Sequence, residues 1–161
     1  MKNKDNNSIN KSFVSKEQVG HIITLYSDGQ LMQALKAIKS LLNSYPNDPL
    51  LLNISGACYV GLGKLDEAVK LYKKALSVRP DYAEAHNNLG IAFHELNLLK
   101  DAVESYITAI NIKPDYAEAY NNLGNTQSKL GQLGDAIQSY ERALVIEPNF
   151  NDAFNNLGFA H

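Results

Sequence analysis

Apolar residues return along this chain at helical spacing. Leu89 with Phe93, and Tyr106 with Ile110, lie one turn apart, so each pair lines one face of a helix. The pattern then repeats on a longer scale, marked by Pro46, Pro80, Pro114 and Pro148 at a step of about 34 residues. Aligned on that step, small residues also fall into columns. Ala34, Ala68, Ala102 and Ala136 form one; Leu41, Ala75, Ala109 and Ala143 another; Gly56, Gly90, Gly124 and Gly158 a third. Large residues alternate with them, as Ile38, Tyr72, Tyr106 and Tyr140 do. Such a pattern predicts helices packed in pairs. Small residues let two axes approach, and large ones fill the space between neighbours.

Local signals place the turns. Gly29, Gly63, Asn97 and Gly131 share one column, and glycine and asparagine tolerate the positive φ of a helix-ending turn. Asp66, Glu67, Asp101 and Asp135 follow, where a negative charge suits the start of the second helix of a pair. Each proline ends that second helix and begins the link to the next pair.

The chain divides accordingly. Residues 1–14 form a polar leader expected to be disordered. Residues 15–48 are a divergent first repeat with helices near Lys16–Ser27 and Leu31–Ser44, followed by repeats over 49–82, 83–116 and 117–150. Residues 151–161 supply the first helix of another. That helix brings Phe154, Leu157 and Phe159 with no second helix to cover them, which predicts either continuation beyond His161 or self-association through 151–161.

Composition narrows the class. The formal net charge is −2, with basic and acidic residues read as interspersed, which argues against a nucleic-acid or membrane-surface partner. Cys58 is the single cysteine, so no disulfide forms within the chain. No apolar run nears the ~20 residues of a membrane span, and no apolar stretch in MKNKDNNSINKS reads as a secretion signal. A cytoplasmic location is the expectation.

The columns resemble the tetratricopeptide pattern W-x2-L-G-x2-Y…A-x3-F…P. Its positions in 83–116 are His86, Leu89, Gly90, Phe93, Ala102, Tyr106 and Pro114; in 117–150 they are Tyr120, Leu123, Gly124, Gln127, Ala136, Tyr140 and Pro148. Departures are the absence of tryptophan, Ser55 in place of leucine and Gln127 in place of an aromatic. The resemblance implies an all-α, right-handed α-solenoid of antiparallel helix pairs. The first helix of each pair would line a concave groove that takes a protein or peptide partner. It therefore implies a binding scaffold over an enzyme.

The groove residues implied are Asn87, Asn88, Ile91 and His94, then Asn121, Asn122 and Asn125, then Asn155 and Asn156. Asn88, Asn122 and Asn156 share one repeat position, and a carboxamide can pair with peptide N–H and C=O together. The arm of O-GlcNAc transferases resembles this, so a second expectation is the substrate-recognition arm of a larger glycosyltransferase or sulfotransferase. Ile54 interrupts the ladder. The alternative is that the Asn-Asn pairs hydrate a solvated face or bond the neighbouring repeat. Glu84, Glu118 and Asp152 stand where a clamp for acidic tails would need cations, favouring a neutral or basic peptide.

Catalytic and cofactor patterns are not found. His21, His86, His94 and His161 lack zinc-ligand spacing, and no cofactor is expected. Gly61-Leu62-Gly63-Lys64 has neither the upstream glycine nor the Ser or Thr of a phosphate loop. Cys58 reads as a small packed residue, and Tyr82, Tyr116 and Phe150 as packing between repeats.

Overall fold

A computed structural model describes residues 14–160. The described residues form nine α-helices and no strand: α1 (Lys16–Ser27), α2 (Leu31–Ser44), α3 (Pro49–Gly61), α4 (Leu65–Val78), α5 (Ala83–Glu95), α6 (Leu99–Ile112), α7 (Ala117–Lys129), α8 (Leu133–Ile146) and α9 (Asn151–Ala160). Each packs on its sequence neighbours, and alternate helices α3, α5, α7 and α9 also touch one another. This is a one-dimensional stack of helix pairs, an α-solenoid. The leader, apart from Val14, lies outside the described residues.

Turn chemistry follows the sequence closely. Gly29, Gly63, Asn97 and Gly131 have φ of 73°, 70°, 60° and 77°. After Gly63, the Lys64 N–H reaches back to the Tyr59 carbonyl at 2.8 Å, while Gly63 N–H bonds Val60 O at 2.8 Å. This Schellman arrangement satisfies carbonyls that the helix end would otherwise leave open. Asn97 repeats it, with Leu98 N–H to Phe93 O at 2.8 Å. At the other junction, Tyr45, Arg79, Lys113 and Glu147 precede the prolines with φ between −128° and −132°. The proline ring drives its predecessor out of the helical region, so α2, α4, α6 and α8 stop there. Asp48 caps α3, its Oδ1 accepting from Leu50 and Leu51 N–H at 3.0 Å each, ahead of Pro49.

Small residues sit where the helices cross. Ala34, Ala68, Ala102 and Ala136 are wholly buried, as are Ala75, Ala109 and Ala143. Tyr72, Tyr106 and Tyr140 lay their rings on the backbones of Gly56, Gly90 and Gly124. The first pair keeps the volume but exchanges the partners: Ile22 stands at the glycine position and Ile38 at the tyrosine position, both buried in one cluster. Cys58 packs in that cluster, where burial pushes its thiol up. Tyr82 is buried between repeats, with the Arg79 guanidinium 3.4 Å from its ring centre. His86 is half-buried, and its Nε2 meets the Pro80 carbonyl at 2.9 Å.

Candidate functional site

The first helix of each pair presents three connected recesses along one wall. Between α3 and α5, a recess of about 200 Å³ is lined by Ala57, Val60, Tyr72, Asn88 and Ile91. The next, about 120 Å³, shares Ile91 and adds His94, Tyr106, Asn122 and Asn125. The third, about 400 Å³, shares His94 and Asn125 and adds Ser128, Lys129, Tyr140, Asn156 and Phe159. Shared residues make this one continuous groove, with a tyrosine of the second helix at the base of each recess.

The asparagines divide into two roles. Asn88 Nδ2 donates to Asn53 Oδ1 at 3.1 Å, Asn122 Nδ2 to Asn87 Oδ1 at 3.1 Å, and Asn156 Nδ2 to Asn121 Oδ1 at 3.0 Å. Asn53, Asn87 and Asn121, which share one repeat position, therefore each accept from the asparagine one position further on in the next repeat. Asn87 is fully buried and Asn121 nearly so. The Asn87 amide reaches onward, its Nδ2 donating to Glu118 Oε1 at 3.3 Å. The expectation that Asn87 and Asn121 face a ligand is corrected here. Both lie inside the repeat junction, where an unbonded carboxamide would carry a desolvation penalty. Asn155 holds the same position in α9 and is exposed.

Asn88, Asn122 and Asn156 do line the groove, yet each has one amide hydrogen committed to the preceding repeat. What they offer inward is Oδ1 and a second N–H. At the first junction, Val19 and Ile54 replace the two asparagines together. A polar pair exchanged for an apolar pair leaves no orphaned donor, which explains the interruption at Ile54.

His94 Nδ1 lies 2.8 Å from Thr126 Oγ1, and Thr126 Oγ1 donates to the Asn122 carbonyl at 2.9 Å. With its hydrogen so placed, the Thr126 oxygen accepts, and His94 donates from Nδ1. Nε2 is left with a lone pair at a ring that lines two recesses. Burial, then the Lys129 ammonium, pulls His94 below its ordinary value, favouring this neutral form. Asn125 Oδ1 accepts from Tyr140 O–H at 2.9 Å. Thr126, wholly buried, and the recess tyrosines were not legible as groove residues from sequence. The tyrosine column was visible, but only the helix crossing brings it beneath the wall.

Charge is less interspersed than the near-zero net value suggests. Residues 1–80 hold 11 Lys and Arg against 6 Asp and Glu; residues 81–161 hold 4 against 11. Within the groove itself, the first recess holds no charged side chain, the second holds Glu95 and the third Lys129.

The comparisons agree with this architecture. A family model described as TPR repeat matches residues 56–97 and 92–131, and a second, described as Tetratricopeptide repeat, matches 117–150. The first TPR domain of human RPAP3 is 30% identical, the alignment covering 71% of this chain and 91% of that one at a TM-score of 0.69. The chain belongs to the tetratricopeptide-repeat family. Among other tetratricopeptide-repeat folds, MamA superposes with a TM-score of 0.78 at 27% identity over 92% of this chain and 84% of that one. A first TPR of Spaghetti (RPAP3), solved with the HSP90 peptide SRMEEVD, is 30% identical over 70% of this chain and 90% of that one, at a TM-score of 0.69. Comparison with curated protein sequences returned no match. Tetratricopeptide repeats are protein-interaction modules. No described helix is long and apolar enough to cross a membrane.

Proposed function

We propose that this chain binds a neutral or basic peptide segment along the wall formed by α5, α7 and α9. The observation that carries this reading is the continuous groove in which His94 Nε2 and the Asn122 and Asn156 Oδ1 atoms have no hydrogen-bond partner among the described residues. These are acceptors, suited to peptide N–H groups and to cationic side chains. The wall's first turns carry Glu84, Glu118 and Asp152, and the surrounding half of the chain is acidic. A carboxylate-rich peptide such as SRMEEVD, bound by the RPAP3 relative, meets repulsion here.

The enzyme-arm reading draws on asparagines free to grip substrate backbone. One N–H of each is already bonded between repeats, so the grip available is narrower than a free carboxamide ladder would give. Nothing in the groove favours that reading over a binding scaffold.

Anisotropy of labelled peptides tests the proposal. A lysine-bearing extended peptide should bind more tightly than SRMEEVD, with the gap closing as salt rises. Ser128→Trp, which fills the third recess without removing a hydrogen bond, should weaken the basic peptide by at least about tenfold. Preference for SRMEEVD, or unchanged binding by a folded Ser128→Trp protein, would overturn the reading.

A further inference from the structure

A second cleft, of about 380 Å³, opens where the first two helix pairs meet. It lies on the Ser55 and Tyr59 face of α3, turned away from the Ala57 and Val60 face that lines the groove. Leu35 and Leu42 of α2, with Leu71 of α4, form apolar walls, and Met32 stands 67% exposed at the rim.

One side chain deepens this space. Ser55 occupies the column of Leu89 and Leu123, and all three are buried. Leu89 and Leu123 belong to the central cluster, Leu89 beside Phe93. Serine at the same depth is too short to fill that place, and its junction keeps an apolar gap. A void that removes partner atoms from its lining forfeits their dispersion contacts. An unfilled gap reachable from solvent is therefore a place where a ligand's apolar side chain regains them.

The rim carries one sign of charge. Lys36, Lys39 and Lys64 line the cleft, and α2 contains no carboxylate. This junction also lies in the basic half of the chain. We infer that the cleft docks an amphipathic peptide segment that places a leucine or phenylalanine in the Ser55 gap with carboxylates beside the three lysines. Apolar filling supplies the anchor, and charge complementarity selects the partner and its orientation. The chain's own leader is a poor occupant, because Lys2, Lys4 and Lys11 outnumber Asp5. This site is independent of the groove, whose charge preference is the opposite.

The probe is a fluorescein-labelled peptide with Leu and Phe one helical turn apart, flanked by Glu, read by anisotropy against a copy with Lys for each Glu. The acidic peptide should bind at least about tenfold tighter than the basic copy at low salt. Ser55→Leu should raise the melting temperature and weaken the acidic peptide by at least about tenfold, since the gap is then filled from within. If Ser55→Leu fails to fold, the exposed double variant Lys36→Glu with Lys39→Glu decides, with the same loss expected and circular dichroism unchanged. Ser128→Trp should leave this peptide's binding intact. Equal affinity for the two peptides, or binding unmoved by the lysine variant, overturns the inference. So does loss of binding in Ser128→Trp alone, which would move the peptide to the groove. Sedimentation showing a dimer that Ser55→Leu disperses would name a second copy as occupant and overturn it equally.

Discussion

The ring of Tyr106 lies directly on the backbone of Gly90, so that a β-carbon at Gly90 would stand 2.6 Å from Tyr106 Cε1. Tyr140 holds Gly124 in the same way, and Tyr72 holds Gly56. The contact closes each helix pair, and it also sets the tyrosine at the base of a groove recess. Fold and candidate site thus depend on the same missing side chain.

Gly90→Ala or Gly124→Ala should therefore destabilise the stack by about 1–3 kcal/mol, because the buried ring has nowhere to withdraw. Gly158, in the same column, has nothing within 4 Å of an added β-carbon. There the helix propensity of alanine governs, and Gly158→Ala should be neutral or stabilising by up to about 1 kcal/mol. Urea unfolding of the three variants checks this, and equal effects would contradict the packing account.

The asparagine ladder makes a second prediction. Asn122→Ala leaves the buried Asn87 Oδ1 without its donor and should cost about 1–3 kcal/mol. Replacing both partners, Asn87→Val with Asn122→Ile, copies the Val19 and Ile54 pair of the first junction and should recover part of that loss. A double-mutant cycle measures the coupling. Additive losses would mean the bond contributes little.

Asn97 carries a positive φ of 60° where its column otherwise has glycine. An L side chain in that region is strained by roughly 1–2 kcal/mol, less for asparagine than for others. Asn97→Gly should be neutral to mildly stabilising, whereas Gly63→Ala should destabilise by about 1 kcal/mol or more. Thermal denaturation distinguishes the signs.

His94 predicts a pH dependence. Burial, followed by Lys129, lowers its folded-state value below the ordinary value of about 6.5 that the unfolded chain keeps. As pH falls below that value the unfolded chain takes up the proton first. The contribution is therefore complete above about pH 6.5 and is lost as pH falls through the folded value. His94→Gln should flatten the acid limb of the melting temperature against pH; an unchanged limb would remove His94 as its source.

The pairing of helices, the turns within pairs and the prolines that end each second helix were legible in the amino-acid sequence, because each rests on short-range physics. Proline blocks a helix at its predecessor, Gly63 and Asn97 accept positive φ, and alanine columns mark crossings whatever the partner. The assignment of the asparagines was not so legible. Asn87 and Asn88 are adjacent and chemically identical, yet one is sealed in the junction while the other lines the groove, since successive helical positions point about 100° apart. Both bond a neighbouring repeat, and which of them is sealed between repeats depends on the angle at which pairs stack, a relation between residues some 35 positions apart. The Ser55 gap has the same origin. A serine among leucines is visible in the chain, but whether its neighbours close over it or leave a cleft is decided only when α2, α3 and α4 pack.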